Sequence, residues 1–364
     1  MFLRGRSRSF LYQGVFALVL LLCGGALARL IYDNLHSGGG FGVLARPANF
    51  NFGESVLPTG PGDSYGRALL IAFANTLWVS FNACILATLL GIGVAVAGRS
   101  RLVLLRRVTA AYIEAFRNTP LLLQLLLWYT VLQALPPVRQ AFEFGSVFIS
   151  QRGIALPALS IDRLGLGLLA ATVVLWIIAR RIPALCAHVT QRRGVDLLAV
   201  ASIVAVVLTR ATITSPELSG FNFRGGWRIS PEFLAMVIGI TLYAAAFISE
   251  IVRSGIEAVP KGQWEASFAL GLGRLRAMRL VILPQATRVA IPPLVSEYAG
   301  IVKNSSLAVA IGYPDLIWAS NTAITQTGQP IQIIAVVMAL YLSVSAMISL
   351  GLNLFNRRIT KRYV

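Results

Sequence analysis

The residues that could bind a metal or move a proton are few: two histidines, three cysteines and 14 carboxylates in 364 residues. Cys23, Cys84 and Cys186 each lie in apolar surroundings with no Cys or His at ligand spacing, so neither a zinc site nor a disulfide framework is expected. His36 falls in a Gly-rich stretch and His188 in a basic one, where solvated side chains are the simpler reading. No Gly-Lys dipeptide occurs, so no Walker A loop can cradle nucleotide phosphates. Neither a Gly-x-Ser-x-Gly elbow nor a His-Glu-x-x-His helix is expected. The expectation is therefore a chain with no catalytic residue, no metal and no cofactor of its own.

What remains is polar chemistry set into apolar sequence. Glu114, Arg117, Asn118 and Thr119 open one apolar run; Glu297, Lys303, Asn304, Ser305 and Ser306 close another. Polar groups at membrane depth are costly, and they line a pathway or pair with one another. Arg117 offers bidentate geometry for an anionic group, and Glu114, Glu297 or Glu250 could supply an opposite charge beside it. The alternative is that Glu114 and Arg117, three apart on one helix face, neutralise each other, or that Arg117 only pins its helix to the neighbouring cytoplasmic region. The Ser and Asn side chains of the second cluster either hydrogen-bond a polar solute or cap a broken helix.

The elements that must position these groups follow from composition. With 56% apolar and 13% charged residues and a mean hydropathy of +0.73, the chain is too apolar for one soluble core, and the bilayer is the expected solvent. The formal charge of +18 sits in short clusters between apolar runs, which points to lipid and not to nucleic acid. Runs at 10–32, 68–98, 109–135, 166–182, 195–213, 232–256, 286–303 and 329–353 predict an all-α bundle of about eight spans. The clusters Arg4 to Arg8, Arg99 to Arg107, Arg180 to Arg193, Arg253 to Arg288 and Arg357 to Arg362 place both termini in the cytoplasm. The outer segments 33–67, 136–165, 214–231 and 304–328 then read as loops rich in Gly, Pro, Ser and Asn. The first run also resembles a secretory signal peptide, but its apolar character continues past Arg29, which favours a retained helix. This gives residues 1–65 as a helix with an outer loop, 66–356 as the membrane domain with an insertion at about 136–231, and 357–364 as a basic tail.

After the run 232–256 the chain reads as a helix, a break and a second helix. Pro260 suits a first turn, and Trp264, Phe268 and Leu272 recur at i, i+4 and i+8 as one apolar stripe. Ala266, Ser267 and Ala269 leave a low-relief flank on which another protein could sit, and Gly271 and Gly273 can take the positive φ that ends such a helix. Arg274 to Leu283 mixes arginines with apolar residues, as at an inner headgroup layer, until Pro284 interrupts it.

Glu265-Ala266-Ser267, then Gly271, then Val281-Ile282-Leu283-Pro284 resembles the "EAA" loop of permease subunits in binding-protein-dependent ABC importers, with Ser267 and Val281 departing from the usual Ala and Ile. The resemblance implies a type I importer permease fold in a bacterial inner membrane. It also implies that Trp264, Glu265, Ala266, Ser267, Phe268, Gly271 and Pro284 form a loop docking on a cytoplasmic ATPase subunit, which carries ATP and Mg. Glu114-x-x-Arg117-x-Thr119-Pro120 is similar to a signature of permeases for polar amino acids. Lys303-Asn304-Ser305-Ser306, Gly312-Tyr313-Pro314-Asp315 and the long insertion look most like the Q-type subunit of a general L-amino-acid permease. The partners implied are a homologous permease subunit, two ATP-binding subunits and a periplasmic amino-acid-binding protein. Another polar solute, or an ion-gradient-driven transporter, are the competing readings. The insertion carries no readable motif.

Overall fold

A computed structural model describes residues 40–181, 189–220 and 222–361. The expected first span at 10–32, with the choice between retained helix and cleaved leader, lies outside the described residues, as do Cys23, His36, Cys186 and His188. The chain forms two compact units, one from Met1–Trp128 with Ala235–Val364 and one from Tyr129–Leu234.

Among the described residues four helices are long and apolar enough to cross a membrane: α1 (Tyr65–Ala97), α4 (Arg163–Arg181), α6 (Pro231–Glu257) and α11 (Pro330–Lys361). Of the other expected spans, 195–213 overlaps the less apolar α5 (Val189–Arg210) and ends in a strand after it, and 286–303 falls within α9 (Leu283–Asn304), which carries Pro292 and Pro293 inside it. The run 109–135 is not one helix. It divides into α2 (Val103–Asn118) and α3 (Leu121–Gln133), because Pro120 forces Thr119 into extended backbone, φ −103° and ψ 136°. Arg117 thus stands at a helix end and not inside a span. The segment 304–328 is not a loop either: a 3-10 turn (Ser305–Ile311) and α10 (Leu316–Thr327) occupy it.

The first unit is built around α1. Ser64 caps its start, accepting from Arg67 N–H at 3.3 Å, and Asp63 pairs with Arg67 at 2.9 Å. Trp78, Phe81, Ile85, Leu89, Ile92 and Val96, three or four apart, leave one face apolar and exposed, as lipid contact requires. The other face packs Tyr65, Ala68, Leu69 and Ala72 against Leu316, Ala319 and Ala323 of α10 and Ile333 and Val337 of α11. Asn75, fully buried, accepts from Val56 N–H (2.9 Å) and donates to the carbonyls of Glu54 (3.1 Å) and Pro314 (3.0 Å). One side chain thereby ties the segment before α1 to the turn before α10. Asp315 caps α10 by accepting from Trp318 N–H at 2.8 Å, and burial pushes its carboxyl up to about 7.

Close helix crossings rest on glycines. A Cβ at Gly91 would stand 2.8 Å from Ile248 Cγ2 and 3.0 Å from Ala245 O of α6, whereas one at Gly93 would meet nothing. Gly91→Leu is therefore expected to destabilise the chain by about 1–3 kcal/mol, and Gly93→Leu by no more than about 0.5 kcal/mol, measured by thermal unfolding in detergent. Equal effects would refute the crossing as drawn.

The second unit corrects the all-α expectation. Among its described residues are eight short strands: β1 (Phe142–Phe144), β2 (Val147–Ser150), β3 (Gly153–Leu156), β4 (Ala158–Ile161), β5 (Ala211–Thr214), β6 (Glu217–Ser219), β7 (Asn222–Arg224) and β8 (Trp227–Ile229). They form antiparallel sheets β1-β2-β3-β8, β4-β5 and β6-β7. Gly153, at φ +95°, lets β3 approach β8 so closely that a Cβ would meet Ile229 O. The β4-β5 ladder, with Ser160 opposite Thr212, closes the end of the α4–α5 pair at which α4 starts and α5 finishes. Arg210 and Asp162 add an ion pair there at 3.3 Å.

Candidate functional site

Two neighbouring features of the first unit carry the chemistry. The first is a pocket of about 540 Å³, within the range of small-molecule sites, lined by Arg106, Thr109, Glu114, Arg117 and Asn118 of α2 and by Phe247, Glu250 and Arg253 of α6. Tyr112 holds the two helices together by donating its hydroxyl to Leu242 O at 2.6 Å. The Pro120 break places Arg117 here. Gln124 of α3 reaches back across it, its amide donating to the carbonyls of Phe116 (3.0 Å) and Thr119 (3.1 Å) and to Thr119 Oγ1 (2.7 Å). Those bonds satisfy the end of α2 and so fix the last turn, on which Arg117 and Asn118 sit.

Arg117 lays its guanidinium over the Phe247 ring, 5.1 Å from the centroid. Among the described residues it forms no ion pair with Glu114, so the mutual neutralisation weighed from the sequence is absent. The acid that is paired is Glu250, to Arg253 at 2.6 Å. Arg253 also lies 3.9 Å from Glu257, and Glu257 3.7 Å from Arg99. This run of charges leads from the pocket to the last residue of α6.

The second feature begins there. After Pro260 comes α7 (Lys261–Ala269), then α8 (Arg274–Ala277) and a π turn (Met278–Ile282) that runs into α9. Trp264 packs on Ile256, Val259, Ile282 and Ala286, anchoring α7 to the ends of α6 and α9. Gly255 allows α6 and α9 to touch, since a Cβ there would meet Ala286 O at 2.9 Å. Gly271, at φ +74°, ends α7: its N–H donates to Phe268 O (2.9 Å), and Leu272 N–H to Ser267 O (3.1 Å).

Three expectations change. Gly273 has φ −65° and precedes α8 in extended backbone, so the turn uses Gly271 alone. Ser267 is buried and donates to Gln263 O at 2.6 Å, which removes it from the outward flank. The expected stripe is split: Trp264 and Leu272 are half-buried, while Phe268 (49%), Leu270 (80%) and Leu275 (87%) are exposed. Nor does Pro284 interrupt the helix. Leu283 N–H donates to Met278 O, five residues back, in a π turn that runs without a break into α9, where Pro284 stands in the first turn and its missing N–H is tolerated.

Comparison with known proteins decides what this arrangement is. Residues 87–363 match the model of the family described as "Binding-protein-dependent transport system inner membrane component". The chain belongs to that family. This permease is 37% identical to the general L-amino acid transport system permease protein AapQ of Rhizobium johnstonii, over 97% of the chain and 92% of that protein. It is 36% identical to BztB of Rhodobacter capsulatus, a permease protein of a glutamate/glutamine/aspartate/asparagine transport system, over 97% and 94%. A second permease protein of that system, BztC, matches half of the chain at 33%. Among solved structures, an amino acid ABC transporter crystallised with histidines superposes with a TM-score of 0.51 over 81% of this chain and 95% of its own, at 24% identity. The permease has the type I ABC importer fold.

The remaining candidates lie elsewhere on the permease. Glu297, half-buried on α9, does not line the pocket, and neither do Lys303 to Ser306. Ser305 donates to Val302 O and Ser306 to Lys303 O, both at 2.7 Å, so these hydroxyls serve the end of α9. One Gly-x-Ser-x-Gly spacing does occur, Gly62 to Gly66, against the expectation of none. Its Ser64 is the α1 cap described above, at a helix start with no strand before it. Among the described residues no cluster of His, Cys, Asp and Glu could hold a metal ion. Sequence reasoning passed over Phe247, Arg253 and Gln124. Only Arg253 carried a signal, three residues after Glu250 on the same helix.

Proposed function

We propose that this permease carries polar L-amino acids, delivered by a periplasmic binding protein, across the inner membrane in steps driven by a separate ATPase that binds Mg and ATP. The observation that carries this reading is the adjacency of two features: a charged pocket between α2 and α6, and an exposed loop helix held by Trp264 to the ends of α6 and α9. Glu265, Ala266, Phe268 and Leu270 face outward from α7 and offer the ATPase a small apolar contact with one carboxylate. Force applied to α7 reaches α6 and α9 through Trp264, Ile282 and Ala286. The chain of charges from Glu257 to Glu250 runs in the same direction, so movement of the loop would reset the charges around the pocket.

In the pocket, Arg117 takes the substrate carboxylate, and Glu114, with Glu250 when Arg253 releases it, takes the ammonium. Thr119 shapes this site through Gln124, while Glu297, Lys303, Asn304, Ser305 and Ser306 belong to the wall of the pathway farther on. About eight spans cross the membrane, both termini face the cytoplasm, and residues 136–231 insert two spans into the common core. The working assembly pairs this chain with a homologous permease subunit, as the two Bzt permease proteins of one transport system suggest, and adds two ATPase subunits. The test is purification in mild detergent with the neighbouring subunits, followed by ATPase assay. Amino-acid-stimulated hydrolysis with a bound ATPase is expected; a preparation that retains no ATPase would overturn the proposal.

A further inference from the structure

The α4–α5 hairpin has a feature that transport by the pocket above does not use. Between its helices runs a groove of about 370 Å³ lined by Thr172, Val173, Trp176, Ala199, Val200 and Ile203 and ending at Arg180 and Asp196. Apart from that end its walls are apolar. At the end, Asp196 accepts from Trp176 Nε1 (2.9 Å) and from Arg180 (2.6 Å), and Arg180 stacks on the Trp176 ring at 4.9 Å. Among the described residues that line the groove, the one carboxylate is thereby engaged. Arg181 follows Arg180, and Arg192 and Arg193 stand one turn before Asp196 on α5; all three are exposed and add positive charge beside this end, although they do not line the groove itself.

We propose that this groove binds an anionic phospholipid, with an acyl chain along Val173, Val200 and Ile203 and the phosphate held by Arg181, Arg192 and Arg193. Three observations single out lipid. From Thr172 to Arg180 the helix rises about 12 Å, close to half of a hydrocarbon core about 30 Å thick, so the groove has the depth of one leaflet. Trp176 and Arg180 sit at its polar end, where an indole with one bonded N–H marks the headgroup level. The charge at that end complements a phosphodiester, and basic pockets between membrane helices are suited to anionic headgroups. A partner helix would instead leave the three arginines facing apolar surface.

The test reconstitutes the full chain in nanodiscs of phosphatidylcholine containing a small fraction of lipid brominated on its acyl chains, either phosphatidylglycerol or phosphatidylcholine. Quenching of Trp176 is read as the difference between the native chain and Trp176→Phe. Brominated phosphatidylglycerol is expected to quench at about tenfold lower mole fraction than brominated phosphatidylcholine. Joint replacement Arg181→Gln, Arg192→Gln and Arg193→Gln should abolish the preference, and Ala199→Phe, which fills the groove, should abolish the quenching itself. Equal quenching by both lipids, a preference that survives loss of the arginines, or no quenching by either, as when protein covers the groove, would each overturn the proposal.

Discussion

Gly271→Val is expected to lower ATP-driven uptake by at least about tenfold while leaving membrane insertion intact, because two separate demands meet at this residue. The backbone demand is the φ of +74°, which closes α7 through the Leu272 N–H bond to Ser267 O. An L-residue in that region costs about 1–2 kcal/mol, and a β-branched one more. The second demand comes from outside the chain. A Cβ at Gly271 would meet nothing within 4 Å, so the protein itself leaves the space open, and a side chain there would project toward whatever docks on α7. Gly271→Asn separates the two, since Asn tolerates positive φ. If uptake by Gly271→Asn is near normal, backbone geometry is the constraint; if it falls as far as with Val, close approach of the ATPase is. Gly273→Ala, at φ −65°, should be silent. Normal ATP-driven uptake by Gly271→Val would remove α7 as the coupling element.

How far the sequence could be read depended on the scale of the signal. Long apolar runs with basic ends located α6 to within one residue, α1 to within three and the start of α11 to within one, because burial in lipid is decided by some twenty side chains together; the polar last turns of α11, beyond 353, carry no such signal. The break that ends at Pro260 and the turn at Gly271 were also legible, each resting on one residue whose backbone preference is strong. Pro120 and Pro284 were misread in opposite senses. Apolar residues continue on both sides of Pro120, so hydropathy carries straight across it, yet Thr119 is driven out of helical backbone. Pro284 looks like a stop, but the preceding turn relaxes to five-residue spacing and the helix continues. Neither outcome is set by the proline alone: Gln124 satisfies the carbonyls at the end of α2 in the first case, and the π turn before Leu283 leads into α9 in the second. The β-strands of the insertion are three or four residues long, below the length at which alternation stands out from a Gly- and Ser-rich background. Ser267 was assigned to the outward flank because helical spacing tells which residues share a face, and only packing tells which face is covered.

Arg117 poses the sharper question, since the pocket that contains it would suit either a substrate contact or a helix pin. As a substrate contact it would give a charge-assisted hydrogen bond of about 1.5–3 kcal/mol, so Arg117→Gln is expected to reduce uptake about 10- to 100-fold. Arg117→Lys keeps the charge and loses the fork, and should lie between. Loss of uptake alone does not choose between the roles, because a loosened α2 would also impair transport. The ATPase does choose. A pin between α2 and the loop end of α6 acts on coupling, so its removal should change ATP hydrolysis even with no amino acid present. A carboxylate ligand acts only when substrate is bound, so Arg117→Gln should keep the unstimulated rate and lose the stimulation by amino acid. The structure favours that outcome. Tyr112, through its 2.6 Å bond to Leu242 O, already ties α2 to α6, while the Arg117 guanidinium rests on Phe247 with no ion pair among the described residues. The ring contact with Phe247 also reaches α6, but it leaves the donors of the guanidinium without a carboxylate among the described residues, and Arg117 lines the pocket. Tyr112→Phe supplies the complementary measurement, since loss of the tie should disturb unstimulated hydrolysis and leave the dependence on substrate concentration near normal. If Arg117→Gln and Tyr112→Phe give the same profile, Arg117 belongs to the scaffold and the carboxylate must be bound elsewhere.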